Sequence, residues 1–513
     1  MRYARFFVPA ACLALAGAML AGCAPTVQPG PSSSGGSSSQ TPDPAPAADS
    51  RLDDGVLRFL GAFENYGGGT LLQGDRVIYR ATPAESISLL YDVDTGAQAG
   101  WLLATNDPDG TRRTDVYDTE GDLLWSGPGN YAASISRQLL ALSPGTLYDG
   151  SGIGSDSGSG PKLIRLSDGA ELPLPAGTVS CYMVYGGYTV VNVPGSAQEA
   201  DGYTPTNAIL LGPDGSQQQV FENCSVYEPG YEGSDGWLCV HPFGQSSIHL
   251  YRPADGAVIE GYRSFCGDGY VCCEAGDGRY YVRSVDDPTP LADYGSSCLL
   301  YQPGGLTLLG YDETSNAPLL VMPDGITHPL QDFGSYVIEE DGMGFLLADG
   351  ILLLYGPDGS QTSFAVKAQP GSTLTLASLD SGYALLLGHD SDYNLVEMQI
   401  WNEDGLQAGS YAPSGLGYEY SSVYYLATGS DGPLYAALRQ GIGGSWLYDV
   451  LDHTGQPVLK GLASVVSGSV ASLPEGCFMA RRGFEQGFMD AEGQWLYHES
   501  IFDAVGDEDP AAW

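Results

Sequence analysis

Ten cysteines, six histidines and 62 acidic residues are the side chains of this 513-residue chain that carry reactive chemistry. Nucleophilic catalysis would set a Ser or Cys beside a base, and metal catalysis would gather His, Cys or carboxylate ligands at close spacing. Neither arrangement is written locally. The chain has no G-x-S-x-G elbow, no H-E-x-x-H pair and no G-x-x-x-x-G-K-S/T phosphate loop. The tract 150-GSGIGSDSGSG-160 is a polar loop without nucleophile spacing. His241, His249, His328, His389, His453 and His498 are never closer than eight positions, so none forms a local ligand pair. Glycoside hydrolysis would need two carboxylates about 5–9 Å apart, and no spacing among the acidic residues selects a pair. No cofactor is expected.

Two acidic stretches come nearer to a motif. In 388-GHDSDYN-394, Asp390, Asp392 and Asn394 alternate as at the start of an EF-hand loop. The glycine required at the sixth position is missing, and Trp401 stands where the bidentate Glu belongs. The stretch reads as a hairpin loop with solvated Asp. The segment 378-SLDSGYAL-385 resembles an Asp-box of sialidase-like propellers, but it occurs once and lies ahead of a second strand rather than on a later hairpin. The formal net charge is −42, with 62 acidic against 20 basic residues. Nothing would neutralise phosphates, so nucleic acid is excluded as a partner, and anionic headgroups and wall polymers would be repelled. Metal cations and basic or neutral partners remain compatible.

The first residues are an address. Arg2 and Arg5 precede the apolar stretch 6-FFVPAACLALAGAML-20, which is too short for a comfortable membrane span. It ends in 20-LAGC-23, with small residues at Ala21 and Gly22 before Cys23. This resembles the lipobox of bacterial lipoproteins. The resemblance implies cleavage after residue 22 and lipidation of the Cys23 thiol, with acyl chains holding the protein to the outer face of the cytoplasmic membrane. Residues 24–50, APTVQPGPSSSGGSSSQTPDPAPAADS, lack apolar bulk and read as a disordered tether. The expected organisation is a signal peptide over 1–22, a lipidated tether over 23–50 and a folded region over 51–513.

That region must be built from short elements, because 72 glycines and 33 prolines leave little room for long helices. One turn is written twice, in 210-LLGPDGSQQQVF-221 and 353-LLYGPDGSQTSF-364. The same plan, apolar run, Asp- or Glu-containing turn with Gly, apolar run, recurs around Gly96, Gly121, Gly169, Gly215, Gly256, Gly325, Gly359, Gly405, Gly455 and Gly493. A degenerate unit, 270-YVCCEAGDGRYYVRS-284, lies between the fifth and sixth. The spacing averages roughly 40 residues, the period of a four-stranded propeller blade. Gly supplies the positive φ of a tight hairpin and Asp caps it. Four strands read clearly within one period, 373–379, 383–389, 395–401 and 406–412, and again at 422–428, 433–439, 446–452 and 457–463. Second strands such as 102-LLAT, 188-YTVVNV, 237-WLCV and 344-GFLLA are apolar throughout, as suits burial on both faces.

The fold class expected is all-β: a β-propeller of about seven or eight four-stranded blades in one ring, or two smaller rings. A β-solenoid is the alternative. Asp92-x-x-Thr95-Gly96 followed by Trp101, and Asp118-x-x-Gly121 followed by Trp125, resemble quinoprotein-type repeats, and 487-GFMDAEGQWLY-497 resembles a WG repeat. The resemblance implies Trp residues docked between blades and carries no quinone.

Eight cysteines follow the tether: Cys181, Cys224, Cys239, Cys266, Cys272, Cys273, Cys298 and Cys477. No pair has zinc-knuckle spacing, and an even number outside the cell suggests disulfides. Cys224–Cys239 and Cys266–Cys273 are the expected cross-strand pairs. Buried, inert thiols are the alternative. The functional expectation is a lipid-anchored surface binding or scaffold protein with a protein or glycan ligand. The alternatives are a surface carbohydrate-active hydrolase or lyase, and an envelope assembly factor that binds other proteins.

Overall fold

The computed structural model describes residues 50–501, except for short segments of which 62–67, 149–152, 156–159, 196–205, 230–235, 276–279, 302–306, 312–317, 322–326, 412–418 and 468–472 are the longest. Over most of 290–333 it describes the backbone of the strands alone. Cys23 and the expected signal peptide and tether, up to residue 49, lie outside the described residues.

Every larger element is an antiparallel sheet made of strands that follow one another in the chain. In chain order they are sheet 1 (57–81), sheet 2 (85–128), sheet 3 (131–172), sheet 4 (180–221), sheet 5 (224–294), sheet 6 (298–329), sheet 7 (333–365), sheet 8 (373–411), sheet 9 (422–462) and sheet 10 (464–500). Among the described residues eight of them have four strands, sheet 1 has three and sheet 5 has seven, and a two-stranded hairpin, Thr146–Tyr148 with Ile153–Ser155, is inserted in sheet 3. The strands read from the repeat recur almost residue for residue. Sheet 8 runs Thr373–Asp380, Tyr383–His389, Leu395–Asn402 and Gly405–Tyr411.

The repeated turn falls at one place. Gly121, Gly169, Gly215, Gly256, Gly455 and Gly493 lie between the third and fourth strands of their sheets and Gly405 opens the fourth strand of sheet 8, each at positive φ. Gly96 lies instead between the first and second strands of sheet 2. Gly325 and Gly359 are outside the described residues. The carboxylates cap these turns as expected: Asp452 Oδ1 accepts the N–H of Thr454 at 2.8 Å and of Gln456 at 2.9 Å.

Second strands are apolar on both faces because each sheet is covered twice. In sheet 2, Trp101 and Leu103 pack against sheet 1, while Leu102 and Ala104 pack against sheet 3. The same alternation links sheets 3 and 4, sheets 4 and 5, sheets 7 and 8, sheets 8 and 9, and sheets 9 and 10. Trp101 is buried between sheets 1 and 2, stacked on Tyr117 at 4.2 Å.

The order of packing returns to its start. Leu52, Leu60 and Leu72 beside and within sheet 1 share a core with Cys477, Met479, Phe488 and Leu496 of sheet 10. Polar groups reinforce this seam. Buried Glu499 accepts from Thr70 Oγ1 at 2.8 Å, Arg80 Nη1 at 2.7 Å and Tyr497 OH at 3.0 Å. Arg51 pairs with Asp490 at 2.8 Å. First and last coils are the far ends of an open solenoid, so this contact selects the propeller over the solenoid. No strand pairing crosses the seam among the described residues; side chains alone join it.

Sheet 5 departs from the repeat. The degenerate unit does not form a sheet of its own, because Tyr270–Glu274 pairs with the outer strand Ala257–Phe265. That strand turns at Gly261, whose φ is +69° and where a Cβ would lie 2.4 Å from the Glu274 carbonyl oxygen. The bend brings Val271 and Cys273 into one core with Trp237, Cys239, Leu250 and Ile259 of the same sheet.

Candidate functional site

The expected Cys224–Cys239 disulfide is not formed. Cys181, Cys224, Cys239, Cys272, Cys273 and Cys477 are buried, and none is in a disulfide. The register gives the reason. Cys224 lies opposite Pro242, and Cys239 lies opposite Tyr227, three residues further along. An odd offset along a strand puts two side chains on opposite faces. Cys224 accordingly packs toward sheet 4, and Cys239 toward Trp237 and Cys273. Cys273 lies opposite Tyr262, and Cys266 is outside the described residues. Burial pushes the Cys181 and Cys239 thiols up to about 12, which suppresses the thiolate at neutral pH.

The buried carboxylates are bound to their own framework. Asp449 Oδ2 accepts from Arg439 Nε at 2.8 Å, and its Oδ1 accepts the Gly461 N–H at 2.8 Å, across an irregularity in strand register. Glu397 accepts the Gln369 N–H at 2.8 Å and also the Ser372 hydroxyl. Gln399 donates to Glu397 at 3.2 Å and accepts from Trp401 Nε1 at 3.0 Å, which extends the row along one strand. Asp115 accepts from Arg113 Nε at 2.9 Å. These acids hold strands in register. Asp390, first residue of the EF-hand-like stretch, likewise uses Oδ1 to accept the Asp392 and Asn394 N–H groups, each at 2.9 Å. Among the described residues no group of three or more His, Cys, Asp or Glu could hold a metal ion. His241 meets the Gln245 carbonyl and His498 meets Glu485, each at 3.0 Å.

What the sheets do present is aromatic surface at one end. Strand 2 of a four-stranded meander finishes where strand 1 began, and strand 4 finishes there too. One residue separates the last strand of sheet 9, Pro457–Leu462, from the first of sheet 10, Ser464–Val466. The loops joining second to third strands therefore share one face with these links, and the repeated glycine turns occupy the other. On that face sheets 8, 9 and 10 each carry a large exposed ring at the second-to-third connection: Tyr393, Trp446 and Phe484, exposed by 88%, 54% and 63%.

Tyr393 is strained as well as exposed. Its N–H donates to the Asp390 carbonyl at 3.0 Å, while the Asp390 N–H donates to Asn394 O at 3.0 Å. Gly215, Gly444, Gly455 and Gly493 occupy the corresponding place in turns of the same hydrogen-bond pattern. Tyr393 sits in this glycine position at φ +63°, where a side chain costs about 1–2 kcal/mol. The cue in the sequence was Tyr393 standing where a turn of this kind wants Gly or Asn.

A family model described as a domain of unknown function (DUF5046) matches residues 257–508. No curated protein matches the chain. Among solved structures, BamB from Moraxella catarrhalis is similar over 68% of this chain and 97% of its own, at 12% identity and a TM-score of 0.26. The C-terminal WD40 domain of Sif2 is similar over 69% and 92%, at 14% identity and a TM-score of 0.23. The computationally designed Ika8 protein is similar over 61% and 100%, at 13% identity and a TM-score of 0.24.

Proposed function

We propose that this protein is a non-catalytic binding platform, lipid-anchored through Cys23 at the outer face of the cytoplasmic membrane, which engages a macromolecular partner through the face bearing Tyr393, Trp446 and Phe484. The observation that carries the reading is Tyr393. A ring held in a left-handed turn and left almost wholly in solvent lowers stability and packs little core. Strain of this kind concentrates where a surface has a task. Exposed rings on adjacent sheets supply the anchors typical of binding surfaces. The acidic surface makes the partner neutral or basic, and the use of the buried acids as strand braces supports a binding role over hydrolysis.

The test is site-specific photocrosslinking in intact cells of the native host. Crosslinkers at positions 393, 446 and 484 are expected to capture one discrete partner, and crosslinkers at the opposite-face turns, at Thr454 and Gln494, are not. Capture should disappear when the other two rings are replaced by Ala. Equal yields from both faces, or none from either, would refute the assignment of the face.

A further inference from the structure

A second site lies in the groove between sheets 4 and 5. Its walls are Phe221 from the last strand of sheet 4, and Val240, His249, Tyr251, Val258 and Glu260 from sheet 5, around a cavity of about 200 Å³. A cavity of about 150 Å³ suffices for a benzene ring. Its wall contains a bulge. Ile248 lies opposite Tyr262 and Leu250 opposite Ile259, so His249 faces two residues, 260 and 261, on the partner strand. Alternation from the Leu250–Ile259 pair puts Glu260 on the same side as His249, Tyr251 and Val258, and all four line the cavity.

The lining has three kinds of group. Phe221 and Tyr251 meet edge to face at 5.1 Å and offer π surface. Glu260 is exposed at the mouth and supplies a negative charge. His249 completes the wall, its Nδ1 buried and without a hydrogen-bond partner. The nearby cation does not compete. Arg252 lies over the ring of Trp237, on the far side of the sheet, and is paired with Asp255 at 2.9 Å and Asp286 at 2.8 Å.

We propose that this groove binds a protonated amine on a compact apolar body. The body lies against Phe221, Tyr251, Val240 and Val258, and the ammonium faces Glu260 and the aromatic rings. A carboxylate ligand is repelled by Glu260, a neutral isostere leaves that charge unused, and a quaternary ammonium has no hydrogen to donate to the Glu260 carboxylate.

The experiment is calorimetric titration of the full-length protein with benzylamine, benzyl alcohol, benzoate and benzyltrimethylammonium. Benzylamine is expected to bind saturably at one site, at least tenfold more tightly than any of the other three. Glu260→Gln should weaken it about tenfold, and Val258→Trp, which fills the mouth from an exposed position, should abolish it. Both replaced residues are exposed, so folding is preserved. Absence of saturable binding, equal affinity for benzyl alcohol or benzyltrimethylammonium, or benzylamine binding that survives Val258→Trp would overturn the proposal. The last outcome would mark diffuse attraction of a cation to an acidic protein.

Discussion

Tyr393 and the cysteines carry the lessons of single residues. Replacing Tyr393 by Gly removes the left-handed strain at φ +63°, and is expected to raise stability by about 1 kcal/mol, read as a higher denaturation midpoint at unchanged slope. If the ring serves the binding face, the same variant loses its photocrosslinked partner. A loss of stability would show that the ring packs in the folded state and would remove the argument from strain. The cysteines predict a different signature. Cys181 and Cys239 should resist iodoacetamide in the native protein at pH 8 and react fully once it is unfolded, as mapped by mass spectrometry, because burial holds their thiols up at about 12. Buried thiols stood as the alternative to the expected disulfides, and the thiol count was legible from composition. The pairing was not, because whether Cys224 and Cys239 share a face depends on a register that no local pattern states.

At the scale of elements, the turns make stability depend on pH. Asp168, Asp214, Asp255 and Asp390 all titrate below the ordinary carboxylate range. The leading causes are the Ala170 N–H for Asp168, the Ser216 hydroxyl for Asp214, the Arg252 guanidinium for Asp255 and the Asn394 N–H for Asp390. Each carboxyl is thus more acidic folded than unfolded. Its stabilisation is complete above the unfolded value near about 4 and is lost as the pH falls through the lower folded values. The melting temperature should fall steadily below about pH 4, and replacing all four by Asn should make that fall shallower. An equally steep fall would place the acid sensitivity elsewhere. These turns were readable in the chain because Asp and Gly act within four residues of one another. The degenerate unit at 270–284 was visible only as an irregularity. Its union with sheet 5 follows from the bend at Gly261, where any side chain would strike the Glu274 carbonyl.

The whole molecule is held by a seam made of side chains. Glu499 gathers Thr70, Arg80 and Tyr497 across and beside it. Glu499→Ala leaves these donors without their acceptor and is expected to cost about 2–3 kcal/mol. The distribution of the effect tests the architecture. In a closed ring the seam supports every sheet, so hydrogen exchange should quicken by a similar factor in sheets 2 and 9. Quickening confined to sheets 1 and 10 would mean that the sheets respond as an open stack.

The sequence by itself determined most of the repeat: where most of the hairpins turn, which strands are apolar on both faces, and the four-stranded plan from which sheets 1 and 5 depart. Those features follow from backbone chemistry and side-chain alternation over a few residues. Tertiary structure alone decided that residues near 52 meet residues near 496, that Cys224 and Cys239 face apart, and that Tyr393, Trp446 and Phe484 share one face. It also decided that Phe221 of sheet 4 lines one groove with Val240, Tyr251 and Glu260 of sheet 5. Each of these depends on register and on packing between sheets distant in the chain, where the free energy comes from joint burial and no short segment carries the pattern.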